Sequence, residues 1–455
     1  MSSSDVNRAE RRRGPYSAYY NRPVPDADRR LTQVGPGTPG GEYLRRFWHP
    51  ILLSSELKDL PLPIRILGED LVIFRDKSGR LGLLHRACMH RGVSLEFGII
   101  EERGIRCCYH GWLYAVDGTV IETPAEPPTS RIKEHFCQGA YPVRELYGLI
   151  FAYMGPPEVV PELPIYDSFT HPADTVLAPI KVTYPCNWLQ VVENACDPIH
   201  NAYLHAIVSG VQFSPAFKVL PALDFVETPL GFLSMATRRV NNFVFIRASD
   251  IIMPNVGQFM GASDADRESF GISAFLTRWV VPLDDDNCIY IGINHLNHFT
   301  NPSGRMKPES FGVDRMGIIG QTPHRPYRER QLEPGDYDAL VGQGVIANRK
   351  AEHLGTTDRG VVMFRRMLGR GIDAIEKDEM PAQPRRSANG TVRTYTHELV
   401  FGLPSQSSIS DLSSLANFGR RAASIVIETD GLDPVEREAV ASGRIRQLIA
   451  NDLVA

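Results

Sequence analysis

Between residues 51 and 153, hydrophobic positions come in short runs that are separated by turn sequences. Runs such as 64–67, 71–74 and 148–151 are rich in branched or aromatic side chains, and Asp76 to Gly79 is one of the polar stretches between them. Such runs, bounded by Gly, Asp and Ser, are typical of antiparallel strands joined by tight turns. We therefore predict a small antiparallel β domain in this part of the chain.

A proline-rich connector follows this region. It contains Pro156, Pro157, Pro161 and Pro164. A stiff connector of this kind is typical of a domain boundary. We expect residues 1–45 to form an N-terminal arm and helix, residues 46–160 the small β domain, and residues 161–455 a larger domain.

The larger domain mixes two periodicities. Segments 243–246, 278–281 and 288–291 have the pattern of strands, whereas 342–354, 361–368 and 434–448 have the pattern of helices. Gly355 ends the first of these helices. The predicted fold class is α+β: a small antiparallel β domain plus a larger α+β domain with an antiparallel sheet and helices.

Residues 35–40 match a GxGxxG nucleotide-binding pattern but predict something else. No strand precedes the segment, and Pro36 and Pro39 remove N–H groups that a pyrophosphate would need. A helix start fits better, with Thr38 as the capping residue and Pro39 in the first turn. We expect Tyr43 and Phe47 to pack inward from this helix.

Composition excludes several classes of protein. The net charge of −4 argues against a nucleic-acid or acidic-membrane partner, and no apolar run is long enough to span a bilayer. The first thirty residues are Arg-rich and lack the apolar stretch of a secretory signal. Seven cysteines, an odd count, argue against a disulfide framework and fit a reducing cytoplasm. We expect a cytoplasmic protein.

Two paired motifs carry the clearest chemistry. Cys88 and His90 are separated by one residue, and Cys107 and His110 by two. Two cysteines and two histidines are the ligands of a Rieske [2Fe–2S] cluster. A structural zinc site uses the same atoms but usually pairs like with like, so each half's mixture of Cys and His favours the cluster. Of the adjacent Cys107 and Cys108, only Cys107 has the x-x spacing to His110.

A second constellation reads Asp197-x-x-His200-x-x-x-x-His205. With both motifs the chain resembles the Rieske non-haem iron oxygenases, and most closely the alpha (oxygenase) subunits of the phthalate 4,5-dioxygenase-like group, which includes aryl O-demethylases. The resemblance runs from Leu31 to Arg366. It implies one mononuclear non-haem Fe(II) per chain, bound by His200 and His205 and a later carboxylate.

The five-residue spacing of the two histidines is incompatible with an ordinary α-helix. Positions five apart are rotated by roughly 140° on an ideal helix, so the rings would diverge. A widened π-type turn, or a helix that begins at Pro198 and loosens after Tyr203, would bring them together. The alternative is that Asp197 only caps a helix and the histidines are partly buried helix residues.

The third ligand must come from a later segment, and residues 351–360 offer Glu352, His353 and Asp358. Asp358 is also expected to start a helix, where a carboxylate is independently favourable. The resemblance implies that Asp358 is the ligand, with Glu352 as the second choice.

Asp197 is expected to act on catalysis without binding either metal. Three residues before His200, its carboxylate could accept the free imidazole N–H of that ligand. The resemblance further implies contact with His110 of a neighbouring chain, and so a homotrimer or hexamer. Two weaker candidates are His295 and His298, interpreted as strand or strand-end residues. Arg247 could anchor a substrate carboxylate, although a water-facing arginine at a strand end is the simpler interpretation.

The resemblance implies an oxygenase component that receives electrons from NADH through a separate reductase, with or without a ferredoxin. With O₂ it would hydroxylate or O-demethylate an aromatic substrate, carboxylated or methoxylated. Metal ligands alone do not choose among dihydroxylation, monohydroxylation and demethylation. Two alternatives from other classes are an electron-transfer Rieske protein and a non-catalytic zinc-binding scaffold.

Overall fold

The computed structural model describes residues 14–21, 28–170, 173–261, 264–272, 274–298, 300–301, 304, 306–318, 320–403 and 411–452. Strands and helices both occur, and every sheet is antiparallel. The predicted α+β class is confirmed. Within the described residues, no helix is long and apolar enough to cross a membrane.

The N-terminal half contains three small sheets. The first has the order β1-β11-β10, the second β2-β3-β4-β9 and the third β5-β6-β7-β8. The strands are β1 (Trp48–Leu53), β2 (Leu62–Ile66), β3 (Glu69–Arg75), β4 (Leu81–His85), β5 (Ile99–Glu101), β6 (Gly104–Arg106), β7 (Leu113–Tyr114), β8 (Val120–Glu122), β9 (Ala140–Tyr141), β10 (Val143–Leu146) and β11 (Leu149–Tyr153). The short strands predicted from the sequence pattern lie in these sheets.

A nine-stranded antiparallel sheet dominates the C-terminal half. Its path is β12-β19-β18-β16-β15-β14-β13, and β20 pairs with both β15 and β17. The strands are β12 (Val176–Tyr184), β13 (Ala222–Thr228), β14 (Gly231–Val240), β15 (Phe243–Ile252), β16 (Val256–Phe259), β17 (Ser269–Gly271), β18 (Leu276–Pro282), β19 (Cys288–Leu296) and β20 (His397–Gly402). The three predicted strand segments fall in β15, β18 and β19.

Helices flank this sheet. They span Arg29–Thr32, Pro39–Leu44, Trp188–Asn194, His200–Ala202, Tyr327–Leu332, Asp336–Val341, Arg359–Glu376, Leu412–Glu428 and Pro434–Asp452, with a π-helix at Tyr203–Val208. Short 3₁₀ turns lie at Ser17–Tyr19, Ser54–Glu56, Leu95–Phe97, Ile132–Glu134, Pro157–Val159, Asp167–Phe169, Pro215–Lys218, Pro308–Ser310, Arg349–Ala351 and Thr356–Asp358. The helices predicted at 361–368 and 434–448 are confirmed.

The helix predicted at 342–354 is wrong. The preceding helix ends at Val341, and the segment holds only the Arg349–Ala351 turn. Gly344 has φ of +94°, which a helix does not allow. The amide of Ala347 donates to Gln190 Oε1 at 2.9 Å, and the carbonyl of Val345 accepts from Asn187 N at 2.7 Å. Tertiary hydrogen bonds thus take the backbone groups that a helix would have used.

The N-terminal helix joins the two halves. Thr38 caps it by accepting from Gly41 N at 3.2 Å, as predicted, and Tyr43 and Phe47 are buried. Their side chains belong to a continuous core that includes the first small sheet and the nine-stranded sheet. The rings of Phe151 and Trp279 meet across it at 5.7 Å. The third small sheet has a separate core that contains Cys88 and Cys107.

Candidate metal centres

The two histidines of the second motif lie on a helix that widens between them. His200 begins a short α-helical turn, which becomes a π-helix at Tyr203, and His205 lies on the π-helix. The wider turn changes the angle between positions five apart, so both rings reach the same side. Their centroids are 5.3 Å apart. The predicted π-type turn is confirmed.

The carboxylate that joins the histidines is Asp336. Its Oδ1 lies 3.1 Å from His205 Nε2 and 3.7 Å from His200 Nε2. One possible ligand atom from each residue lies within 4.8 Å of the others. Two histidines and one carboxylate on one side of a metal are the ligands of non-haem Fe(II) oxygenases. The residues therefore fit a mononuclear iron.

The structure corrects the expectation for Asp358. Asp358 Oδ2 accepts from the amide of Gly355 at 2.6 Å, so the carboxylate closes the short 3₁₀ turn Thr356–Asp358 that leads into the following helix. Glu352, the second choice, binds Arg365. Within the described residues neither belongs to the histidine group, and His353 is exposed. The helix-start alternative recognised in the sequence explains the position of Asp358.

Asp336 reaches the site because two backbones cross closely. A Cβ on Gly335 would lie 2.2 Å from the carbonyl oxygen of Gly320, and a Cβ on Gly320 would lie 2.7 Å from Gly335 Cα. Only glycine allows this approach. The crossing also brings Gln321 Nε2 to 2.6 Å from Asp336 Oδ2. The Pro334-Gly335-Asp336 sequence is a helix-start signal, but no local pattern indicates that Asp336 meets the histidines.

The charges of the triad reinforce one another. Burial alone would raise the pKa of Asp336, but His205, His200 and the hydrogen bond from Gln321 hold it well below its usual range. Burial opposes the protonation of His205, yet Asp336 raises its pKa. For His200 burial dominates, and its pKa is lowered. In the absence of a metal, a proton at His205 Nε2 satisfies the contact with Asp336. A bound metal would take the place of that proton.

Hydrogen bonds orient each ligand from behind. His205 Nδ1 lies 2.7 Å from Gln212 Oε1, and Asn194 Nδ2 donates to Asp336 Oδ1 at 3.1 Å. His200 Nδ1 bonds the backbone carbonyl of Asp197. The expectation that the Asp197 carboxylate accepts this N–H is therefore wrong: its Oδ2 is 3.8 Å away. Asp197 Oδ1 instead accepts from Ile199 N at 2.8 Å, a local turn that fixes this carboxylate beside the site.

The two loops of the first motif have the same backbone design. In one, Cys88 N donates to the carbonyl of Val93 at 2.8 Å; in the other, Cys107 N donates to the carbonyl of Trp112 at 2.8 Å. Each loop contains a glycine with positive φ, Gly92 at +77° and Gly111 at +75°. The repeated turn presents one cysteine and one histidine from each side.

The side chains of these loops fit a [2Fe–2S] cluster. Cys88 and Cys107 are 2% and 3% exposed, and the rings of His90 and His110 have centroids 4.6 Å apart. His90 stacks on Trp112 at 4.6 Å, and its buried Nδ1 has no hydrogen-bond partner among the described residues. An orphaned buried nitrogen is costly unless it is a ligand. Cys108 is exposed, which agrees with the choice of Cys107.

The cysteine sulfurs lie in an apolar and hydrogen-bonded setting. Burial raises the pKa of Cys107, and the neighbouring Cys88 adds to the shift. The hydroxyl of Tyr114 lies 2.9 Å from Cys88 Sγ. Gln138 steadies the first loop by accepting from Met89 N at 2.8 Å and donating to the carbonyl of Ala87 at 2.9 Å. Such contacts tune the potential of an iron–sulfur cluster.

A cavity of about 310 Å³ opens beside the His200, His205 and Asp336 triad. Residues of the nine-stranded sheet form part of its lining. Three buried polar atoms of this lining lack a hydrogen-bond partner among the described residues: Arg238 Nη1, Ser234 Oγ and Asn294 Nδ2. Buried polar groups are normally satisfied. The cavity is therefore suited to a ligand with polar acceptor groups as well as apolar surface.

The weaker sequence candidates have structural roles. His295 lies in β19, as predicted, with Nε2 3.0 Å from the Thr277 hydroxyl. Exposed His298 pairs with Asp174. Arg247 lines the cavity, but its guanidinium donates to the carbonyls of Met260 and Gly261 at 2.9 Å each. Arg238 was not singled out, because nothing in the local sequence shows which arginine of the strand faces a cavity.

Comparison with known proteins finds similarity along nearly the whole chain. Residues 47–141 match the family model for the Rieske [2Fe-2S] domain. The chain is 41% identical over 460 residues to the tert-butanol monooxygenase / tert-amyl alcohol desaturase oxygenase subunit of Aquincola tertiaricarbonis, covering 96% of this chain and 97% of that protein. It is 40% identical to the phenoxybenzoate dioxygenase subunit alpha of Ectopseudomonas oleovorans, covering 80% of this chain and 89% of that protein.

Two further proteins are similar to this chain, one in sequence and one in structure. The 5,5'-dehydrodivanillate O-demethylase oxygenase subunit of Sphingobium is 36% identical, covering 77% of this chain and 81% of that protein. A crystal structure of dicamba monooxygenase bound to dicamba superposes with a TM-score of 0.55 at 18% identity, covering 73% of this chain and 99% of that one. At this identity the superposition supports the shared fold alone.

Proposed function

Because the chain belongs to the Rieske non-haem iron oxygenases, as the oxygenase subunit of a multicomponent enzyme, we propose that it oxidises an aromatic carboxylate with O₂ at a mononuclear Fe(II). The observation that carries this proposal is the convergence of His200, His205 and Asp336 on one side of a cavity whose other wall presents Arg238. The [2Fe–2S] cluster would be held by Cys88, His90, Cys107 and His110.

Family membership makes the chain an oxidoreductase that incorporates oxygen from O₂. The related oxygenase subunits support this function rather than an electron-transfer Rieske protein or a zinc-binding scaffold. The bound iron would supply the activation of O₂. The protein's own residues hold the ligands in place, and the cavity wall positions the substrate bond that reacts. We place the cluster in residues 46–160 and the iron in residues 161–455.

Arg238 supports an anionic substrate. It is 1% exposed, and burial lowers its pKa to about 9, so it remains charged near neutral pH. Its Nε donates to the carbonyl of Val219 at 2.8 Å and its plane lies over Phe217 at 5.1 Å. The head group is thus fixed while Nη1 has no partner among the described residues. A buried guanidinium nitrogen without a hydrogen-bond partner is costly, and a substrate carboxylate that accepts from it would remove that cost.

An electron path and an assembly follow from the same proposal. A separate reductase would deliver electrons from NADH to the cluster. We propose a homotrimer, or a hexamer of two trimers, in which the Asp197 carboxylate meets His110 of a neighbouring chain. Asp197 is 30% exposed at its side chain, and Tyr203 and Tyr109, beside the two centres, are about half exposed. Light scattering after size exclusion tests this directly, and a monomeric enzyme with full activity contradicts it.

Metal analysis and a substrate panel test the function. We expect about three irons per chain and a reduced-cluster EPR signal after dithionite treatment. The panel, with a compatible reductase, contains benzoates, phthalate, methoxylated aromatic acids, their neutral methyl esters and tert-butanol. Turnover of the acids but not the esters supports the proposal. Turnover of tert-butanol alone contradicts it and favours the activity of the A. tertiaricarbonis relative, which matches nearly the full chain.

A matched pair of variants isolates the carboxylate anchor. Arg238→Met removes the guanidinium whose Nη1 has no hydrogen-bond partner among the described residues, whereas Arg239→Met alters the next residue, whose side chain faces the other side of strand β14. We expect Arg238→Met to raise KM for the acid by roughly 10- to 100-fold, because a charge-assisted hydrogen bond contributes about 1.5–3 kcal/mol. Arg239→Met should leave KM unchanged. Equal effects of the two substitutions contradict the anchor.

A further inference from the structure

Gln212 holds the imidazole of His205 in two ways. The backbone N–H of Gln212 donates to the backbone carbonyl of His205 at 2.9 Å, which closes the end of the π-helix. Its side-chain Oε1 lies 2.7 Å from His205 Nδ1. Gln212 therefore contacts both the backbone and the ring of one residue of the triad. His205 is 1% exposed, so no bulk water can substitute for this acceptor.

The other end of the side chain fixes which amide atom faces the histidine. Gln212 Nε2 lies 3.4 Å from the carbonyl oxygen of Pro334. A carbonyl only accepts, so the amide nitrogen must point to Pro334 and the oxygen to His205. The oxygen in turn requires a proton on His205 Nδ1. Nε2, which faces Asp336 at 3.1 Å, is then the ring nitrogen that a metal could take once its proton is lost.

Pro334 also matters because it precedes Asp336 by two residues. Gln212 and Ser209, whose hydroxyl donates at 2.7 Å, both bond the carbonyl of Pro334. The π-helix that carries His205 is thus joined to the segment that carries Asp336, 131 residues later in the chain. Ser209 makes this connection without touching the ring of His205, whereas Gln212 makes it through the ring.

From these contacts we infer that Gln212 is a positioning residue of the iron site. It selects the His205 tautomer that leaves Nε2 free for metal, and it sets the distance between His205 and Asp336. The inference rests on the proposed function, because it assumes that this triad binds Fe(II). The side-chain amide of Gln212 supplies the acceptor for His205 without adding a charge. Asp336 therefore remains the carboxylate that faces both histidines.

The test measures Fe(II) affinity of the cluster-loaded protein by competition with a chelator, before any turnover assay. Gln212→Leu keeps the side-chain size but removes the acceptor, and we expect affinity to fall roughly 10- to 100-fold. The EPR signal of the nitric oxide complex of the iron should broaden, since the histidine ring loses its fixed orientation. Ser209→Ala is the matched control and should keep the affinity and the signal of the unmodified protein.

Two more variants separate the possible failures. Should Gln212→Leu not fold, Gln212→Asn carries the same prediction, because the shorter amide does not span His205 and Pro334 together. Wild-type affinity in a folded Leu or Asn variant overturns the inference, and so does a Ser209→Ala loss as large as theirs. If His200→Ala binds as much iron as the unmodified chain, the proposed iron site itself fails, and the role of Gln212 falls with it for that separate reason.

Discussion

The two metal centres of this protein are built in opposite ways. All four proposed cluster ligands lie in the segment from Cys88 to His110, on two loops with the same hydrogen-bond design. The proposed iron triad takes two ligands from one widened helix and the third, Asp336, from a segment 131 residues beyond His205. The first centre depends on local turns, so its ligands are visible as a motif. The second depends on a close approach of two backbone segments in the folded chain, so its carboxylate is not visible as a sequence motif.

This contrast predicts independent failure of the two centres. The cluster loops have their own hydrophobic core, whereas the triad lies against the nine-stranded sheet. Damage to one set of ligands should therefore leave the other folded and able to bind metal. Variants that remove a whole centre should therefore have the largest effects.

The largest effect is expected from the cluster ligands. Cys88→Ser or His110→Ala should abolish the cluster, since each removes one of four ligands and exposes the irons to solvent. The visible spectrum and the EPR signal of the reduced protein should disappear, while about one Fe(II) per chain remains. A variant that retains the full visible spectrum contradicts the assignment of these residues as cluster ligands.

The complementary change is His200→Ala. The cluster spectrum and its EPR signal should stay intact, whereas total iron should fall from about three to about two per chain and product formation should stop. Iron analysis and a product assay on the same preparation check both halves of the expectation. Unchanged turnover would show that His200 is only a buried helix residue.

Asp197→Asn tests the link between the centres. Both metals should load, because His200 bonds the backbone carbonyl of Asp197 and not its carboxylate. Reoxidation of the pre-reduced cluster by O₂ in the presence of substrate should slow by roughly 10- to 100-fold, as for the loss of other outer residues of metal sites. Rapid mixing measures this rate. Reoxidation at the wild-type rate with normal product yield leaves Asp197 as a turn residue alone.

The smallest effect concerns tuning of one centre. Tyr114→Phe removes the hydroxyl 2.9 Å from Cys88 Sγ, a hydrogen bond that favours the more negative, reduced cluster. The reduction potential should fall by tens of millivolts, since about 59 mV corresponds to a tenfold change in a one-electron equilibrium. Redox titration of the visible spectrum gives the value. The iron content and the triad should not change, and a potential equal to that of the unmodified protein contradicts the hydrogen bond.

The same contrast explains what the sequence could predict. Local signals gave the β-rich N-terminal half, the Thr38 cap and the π-type turn, because each depends on residues a few positions apart. Asp358 was chosen from residues 351–360 on the family resemblance, and Asp336 was not considered, because no local pattern in the sequence shows that it meets the histidines. The close crossing of Gly320 and Gly335 decides between them, and only the folded chain shows it. Arg238 was missed because only the folded chain shows which arginine of its strand faces the cavity.

We propose that Asp336 completes the iron site and that the fold brings it to the histidines from far along the chain. Iron analysis of Asp336→Ala and Asp358→Ala, prepared side by side with intact clusters, tests it most directly. Asp336→Ala should hold about two irons per chain, those of the cluster. Asp358→Ala should hold about three and lose only about 0.5–1.5 kcal/mol of stability, the net contribution of its one hydrogen bond to Gly355 N. Stoichiometric mononuclear iron in Asp336→Ala, or its loss in a folded Asp358→Ala, would contradict the account.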